Sequence, residues 1–237
     1  MLVPSDAVDH LTRLILVNAV YFKGDWLKKF DVNLTTCEDF RVSPSESVKV
    51  QMMHMQKVKL FYGINAELHC QAVELPYAGE SLSMFILLPD ETVTSLSELE
   101  KKLTAMDLVN VKEKFRMSSQ KVNLWLPRFH LDEKLSLAEM LAGMGMTDLF
   151  TMGVADLSGI DGSKELYVSK VLHRAVVEVN EEGTEAAAAT AVMMMMRSAM
   201  IHREINFRAD HPFLFFIQDT ATGSILFLGR LVKPSAA

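Results

Sequence analysis

Apolar residues run almost unbroken through LTRLILVNAVYFKGDW, residues 11–26, until Lys23 interrupts them. The run is rich in Val, Ile, Tyr and Phe, which predicts a strand over 14–22 buried on both faces. KVQMMHMQKVKLFYG (49–63) mixes alternation with charge and ends at Gly63. HCQAVELPYAGESLSMFILLPD (69–90) reads as a hairpin of two strands around Tyr77-Ala78-Gly79-Glu80, closed by Pro89. SLSELEKKL (95–103) opens on Ser95 with Glu98 three residues later, a capping box that predicts a helix. A second helix is expected over much of 104–116. KVNLWLPRFHL (121–131) reads as one strand, with Pro127 marking a bulge or an edge. LSLAEMLAGMGM (135–146) has helical spacing that Gly143 and Gly145 stop. ELYVSKVLHRAVVEVN (165–180) is a long strand. FLFFI (213–217) and ILFLGRL (225–231) are buried strands joined by a polar turn. Many strands and about three helices in segregated runs give an α+β class.

Two polar side chains interrupt apolar faces. His173 shares its strand face with Val171, Ala175, Val177 and Val179, and Asn18 shares its face with Leu14, Leu16, Val20 and Phe22. A buried amide or imidazole without a partner costs about 1–3 kcal/mol. Either the two bond each other or a shared third group, or each is satisfied separately by backbone or water. A catalytic role for the histidine finds no support. The chain contains no Gly-x-Ser-x-Gly elbow, no His-Glu-x-x-His and no phosphate-binding glycine loop.

The segment NEEGTEAAAATAVMMMMRSAM (180–200) is too bland for a core and too apolar for an ordinary solvated loop. After Gly183, Thr184, Ala186, Ala188, Thr190 and Val192 share one parity. Glu185, Ala187, Ala189 and Ala191 share the other, and the only charge lies in that second set. As a strand, the segment could put its small uncharged side chains against a core and its acid in water. An alanine-rich helix explains the alanines but not the parity. Arg197 follows four methionines, and its plainest reading is a solvated surface charge.

Composition narrows the function classes. With 49% hydrophobic and 23% charged residues over 237 positions, the chain is globular. Its net charge of −6 and lack of a basic stripe speak against a nucleic-acid partner. No apolar run reaches membrane-spanning length, so no membrane partner is expected. Acids and a proline stand where a secretory leader needs a basic start and an apolar stretch, which predicts a cytoplasmic chain. Cys37 and Cys70 lack metal-ligand spacing and read as free thiols, and no cofactor is expected. One glycosylation sequon, Asn33-Leu34-Thr35, matters only if the chain is secreted.

GTEAAAATA after an acidic strand end resembles the hinge of a serpin reactive-centre loop, and FRADHPFLFFI (207–217) resembles the signature that follows that loop. LVNAVYFKGDW (16–26), LPRF (126–129) and VLHRAVVEVNEEGTEAA (171–187) agree in order and spacing. The chain is therefore similar to serpins of the ovalbumin-type intracellular branch, whose relatives also allow the extracellular space. The resemblance implies a loop that a serine protease attacks to form an acyl-enzyme. The cut loop then inserts into sheet A between strands 14–22 and 171–179, with Thr184, Ala186, Ala188, Thr190 and Val192 pointing inward. The family's spacing from Gly183 places the reactive bond at Arg197–Ser198. A guanidinium there fits a primary pocket carrying a carboxylate, so the expected partner is a trypsin-like protease. Asn18 and His173 match the family's shutter pair, which favours their bonding each other, and Trp26 matches the breach where insertion begins.

By the same resemblance, Met1 falls just before the third strand of sheet A. Helices A to F and two strands of sheet A are then expected to be absent, leaving 1–237 as one partial serpin domain with its reactive loop at about 183–203. Three sheet A strands are expected, at 14–22, 121–131 and 165–180, with 14–22 as an edge prone to self-polymerisation. Two functions compete: a protease inhibitor, favoured by the small-residue hinge, and a non-inhibitory serpin-derived piece that proteases merely cleave. An enzyme has no catalytic constellation to support it.

Overall fold

The computed structural model of the chain describes residues 4, 8–183 and 204–234. In chain order its elements are β1 (Leu14–Lys23), β2 (Thr36–Ser43), β3 (Glu46–Asn65), β4 (Cys70–Pro76) and β5 (Leu82–Pro89). Then come α1 (Leu96–Lys102), α2 (Ala105–Val109), α3 (Val111–Lys114), β6 (Ser118–Pro127), β7 (Phe129–Ser136) and α4 (Ala138–Gly143). The last are α5 (Ser158–Asp161), β8 (Val168–Val179), β9 (Ile205–Arg208), β10 (Phe213–Asp219) and β11 (Ile225–Leu231). They fall into two compact units, one from the described parts of 1–23 and 130–178, the other from those of 24–129 and 179–237.

The first unit is built on a three-stranded sheet ordered β1-β8-β7. β1 and β8 are parallel and in register from Ile15↔Lys170 to Lys23↔Glu178. The apolar run of β1 is not buried as its composition predicts. Leu16, Val17 and Tyr21 are 42%, 47% and 61% exposed, on both parities of the strand. β-branched and aromatic content made this strand recognisable, but burial depends on what packs above and below it, which composition does not contain.

The second unit holds an eight-stranded sheet, ordered β11-β10-β5-β4-β3-β6-β9 with β2 paired to β3. The Tyr77–Glu80 hairpin forms as predicted. Gly79 takes φ +80° there, a left-handed conformation that glycine adopts without a Cβ penalty, and Tyr77 N–H donates to Leu82 O at 2.9 Å. Helices α1–α3 cover one sheet face. Leu99, Leu108, Val111 and Phe115 pack against Cys70, Ala72, Phe85, Leu87 and Phe216, with Phe85 stacked on Phe216 at 5.0 Å. Each large apolar side chain so buried contributes about 1.5–3 kcal/mol.

Three local readings change. Ser95 Oγ accepts from Glu98 N–H at 3.2 Å, but the Glu98 carboxylate faces Thr94, so the box there is only half made. The reciprocal box is at Thr104 and Asp107, opening α2. The expected second helix divides at Asn110 into α2 and α3. Finally, 121–131 is not one strand of the small sheet. Pro127 ends β6, which pairs with β3 and β9 in the large sheet, and β7 starts at Phe129 and joins the small one. Proline removes a ladder donor, so the chain can leave one sheet there without losing a bond. Strands β2 and β9 escaped the sequence reading: β2 pairs with β3, which starts only three residues after it ends, but its mostly polar sequence hid it, whereas the short β9 depends on β6, a partner remote in sequence.

Candidate functional site

In the second unit, the chain leaving β8 at Val179 is tied down over Asn180–Gly183, and Trp26 is the centre of the ties. Its side chain is 2% exposed, stacks on Tyr77 at 4.4 Å and meets Phe30 edge-on at 6.3 Å. Its indole Nε1–H donates to Asn180 O at 2.8 Å, and its backbone N–H donates to Glu182 O at 3.1 Å. An aromatic body in the core with its N–H on a carbonyl is the arrangement in which tryptophan is cheapest to bury. Trp26 also forms isolated bridges, antiparallel to Tyr77 and parallel to Gly183.

Gly183 is glycine for a steric reason. A Cβ there would lie 2.7 Å from Trp26 O and 2.9 Å from Lys29 Cβ. No side chain fits where the two backbones approach so closely.

Glu181 adds the electrostatic tie. Arg128, in the break between β6 and β7, donates from Nε to Glu181 Oε2 at 3.1 Å and from Nη2 to Oε1 at 2.7 Å. Thr35 Oγ–H donates to Glu181 Oε1 at 2.7 Å, and Phe30 N–H donates to Glu181 O at 3.2 Å. Burial would raise the Glu181 carboxyl, but the Arg128 and Thr35 bonds outweigh it and hold it below the ordinary carboxylate value. Bidentate guanidinium–carboxylate geometry fixes direction as well as distance.

In the first unit, Asn18 and His173 face each other in the β1–β8 register, with His173 Nδ1 2.9 Å from Asn18 Oδ1. Of the readings open at the sequence level, direct bonding holds, but the site is not buried: Asn18 is exposed and His173 is half-buried. Arg174 forms a second bidentate pair, Nε to Asp132 Oδ1 at 2.7 Å and Nη2 to Oδ2 at 2.6 Å, joining β8 to β7. Its bonds hold the Asp132 carboxyl below the usual range.

Asn18 and His173 thus come together in one unit, and Trp26 and Gly183 in the other. Thr184, Glu185, Ala186, Ala187, Ala188, Ala189, Thr190, Val192, Arg197 and Ser198 lie outside the described residues. Sequence reasoning missed Arg128, Glu181, Thr35 and Tyr77. Arg128 and Glu181 are separated by 53 positions. No periodicity reports such a pair, although an arginine just after a strand-ending proline was a visible oddity. Among the described residues no group of His, Cys, Asp and Glu could hold a metal ion.

Residues 1–234 match the family model described as Serpin (serine protease inhibitor). The chain is 48% identical over 236 residues to the leukocyte elastase inhibitor of Homo sapiens, covering 98% of this chain and 62% of that protein. It is 50% identical over 230 residues to Serpin B6 of Macaca fascicularis, covering 96% and 59%. Among solved structures, uncleaved ovalbumin superposes with a TM-score of 0.85 at 37% identity, covering 98% of this chain and 57% of the other. The chain thus spans about 60% of the length of these relatives. On the family match and on identity near one half, this chain belongs to the serpin family.

Proposed function

We propose that the chain supplies the bait and the receiving strands of a serine-type endopeptidase inhibitor directed at trypsin-like proteases. The observation that carries this reading is the direct parallel pairing of β1 with β8, ten register partners long. A segment that reverses direction after Gly183 would run antiparallel to both strands. Inserted between them, it would replace one slanted parallel ladder by two antiparallel ladders, which are slightly stronger per residue. The parity of Thr184, Ala186, Ala188 and Thr190 suits a strand whose inward face must be small and uncharged. Gly183, wedged against Trp26, supports a fixed pivot for that reversal.

The chemistry assigned to the bait is acyl transfer. The protease serine oxygen attacks the carbonyl carbon of Arg197, the bond to the Ser198 nitrogen breaks, and the new amine leaves with a proton. Insertion before water reaches the ester would trap the acyl-enzyme, a release of stored strain. The human relative is named a leukocyte elastase inhibitor, yet elastase has a small primary pocket that a guanidinium does not fit. Arg197 therefore supports a target whose pocket carries a carboxylate.

The test mixes the chain with trypsin and, separately, with elastase and resolves the products on a denaturing gel. A covalent band with trypsin supports inhibition. Clean cleavage at Arg197 with free active trypsin supports the competing reading of a cleaved, non-inhibitory piece. Self-association is a second reading. It is favoured by β1, which pairs only with β8 among the described residues and leaves Val17 and Tyr21 exposed.

A further inference from the structure

Where β9 hands over to β10, His211 has two hydrogen-bond partners that only a protonated ring can satisfy together. Its Nδ1 lies 3.0 Å from Asp210 Oδ1, and its Nε2 lies 2.9 Å from Pro89 O at the end of β5. A carbonyl oxygen only accepts, and so does an ionised carboxylate. Asp210 is held ionised. Burial would raise its carboxyl, but its bonds to His211 and to Arg208 Nε, the latter at 2.9 Å, keep it below the usual range. Both ring nitrogens therefore donate, whereas a neutral imidazole has one N–H to give. The His211 side chain is 12% exposed, so a partner lost there is not simply replaced by water.

Charged groups reach this joint from each neighbouring strand. Arg208 ends β9 and pairs with Asp210 and with Glu38 of β2. Arg41 of β2 pairs with Glu91, and its backbone N–H donates to Asp210 O at 2.8 Å. Both guanidiniums are thus engaged by carboxylates, while His211 feels Asp210, Glu91 and Asp90, the last also beside His69. Burial disfavours the charged ring, but Asp210, the Pro89 carbonyl and Glu91 outweigh it and lift its value above the ordinary one.

Losing the proton does not loosen both bonds equally. The carboxylate is the stronger acceptor, so the remaining N–H stays on Nδ1. Nε2 then turns a lone pair toward the Pro89 carbonyl. The Asp210 bond joins neighbours in sequence, whereas the Pro89 bond spans 122 positions and fastens the joint to β5. The bond that fails is the long-range one.

We propose that His211 is a proton-operated clasp, which fastens the β9–β10 joint to the end of β5 when protonated and releases it when neutral. Because the folded value is raised, the clasp is fully present below the unfolded value of about 6.5 and is lost as pH rises through the folded value. β9 is the strand by which the chain rejoins the large sheet after 184–203, so the clasp sets how firmly the far end of the bait is held. That consequence rests on the inhibitory reading; the clasp itself does not, and its test contains no protease.

The test is NMR of the full chain with isotope-labelled histidine, together with amide hydrogen exchange, from about pH 5 to 8.5. His211 should titrate with a midpoint above about 6.5 and emerge as the Nδ1–H form. The Arg41 and Ala209 amides bond Asp210 O and Trp125 O at the joint, and their protection factors should fall about tenfold through the same midpoint. Protection of the Tyr77 amide in the hairpin should stay constant. His211→Arg, which keeps a charge and several donors, should hold the high protection across the range. His211→Gln, which never carries the charge, should show the low protection throughout. A midpoint at or below the ordinary value, a neutral Nε2–H form, or joint protection that does not follow the His211 titration overturns the proposal. So does a pH dependence of that protection that survives in His211→Gln.

Discussion

Arg128 and Glu181 form a two-bond ion pair, with Nη2 to Oε1 at 2.7 Å and Nε to Oε2 at 3.1 Å, two residues before Gly183. The carboxylate side chain is 6% exposed and the guanidinium side chain 47%. Removing the arginine therefore strands a buried charge, while removing the acid frees a half-solvated one. Arg128→Met should destabilise the fold by about 2 kcal/mol, less than a fully buried pair would lose. Glu181 has a lowered carboxyl value in the folded chain, so its contribution is fully present above the ordinary carboxylate value of about 4.3. It is lost as pH falls through the lowered value. The deficit of Arg128→Met, measured by urea unfolding, should be constant from about pH 5 to 7 and shrink in more acid solution. A deficit that grows on acidification would contradict the pairing.

Gly183→Ala should destabilise by about 1–3 kcal/mol, because its Cβ meets Trp26 O and the Lys29 backbone rather than a flexible side-chain tip. Tryptophan fluorescence should report it, since Trp26 must shift to admit a methyl group. An unchanged emission spectrum together with unchanged stability would mean that the close approach is not maintained in solution.

Asn18 and His173 join β1 to β8 through side chains placed opposite each other. A double-mutant cycle with Asn18→Ala and His173→Ala should give a coupling of about 0.5–1.5 kcal/mol, the net worth of one hydrogen bond. Additive losses would remove any role for the pair in keeping the two strands closed.

Arg197→Ala should abolish tryptic attack at the 197–198 bond without altering unfolding, as mass spectrometry of the fragments can determine. Thr184→Arg should leave that cleavage intact and eliminate covalent complex, because an inserting guanidinium would be buried unpaired at a cost of several kcal/mol. Equal complex yield in this variant and its parent would refute insertion.

The sequence by itself determined the strands with strong β content, the Tyr77–Glu80 hairpin, the helix starts at Ser95 and near Thr104, and the family through motifs such as FRADHPFLFFI. These are local signals, carried by side-chain period, turn chemistry and caps within a few residues. It also singled out Asn18 and His173, since a polar residue on an apolar face is visible as a break in alternation. Tertiary structure alone decided that they meet, because strand register between positions 155 apart is set by packing and not by either strand's own pattern. The same holds for the change of sheet at Arg128, for its pairing with Glu181, and for the exposure of β1. A strand's composition states what it could bury, whereas the elements that pack on it decide what it does bury.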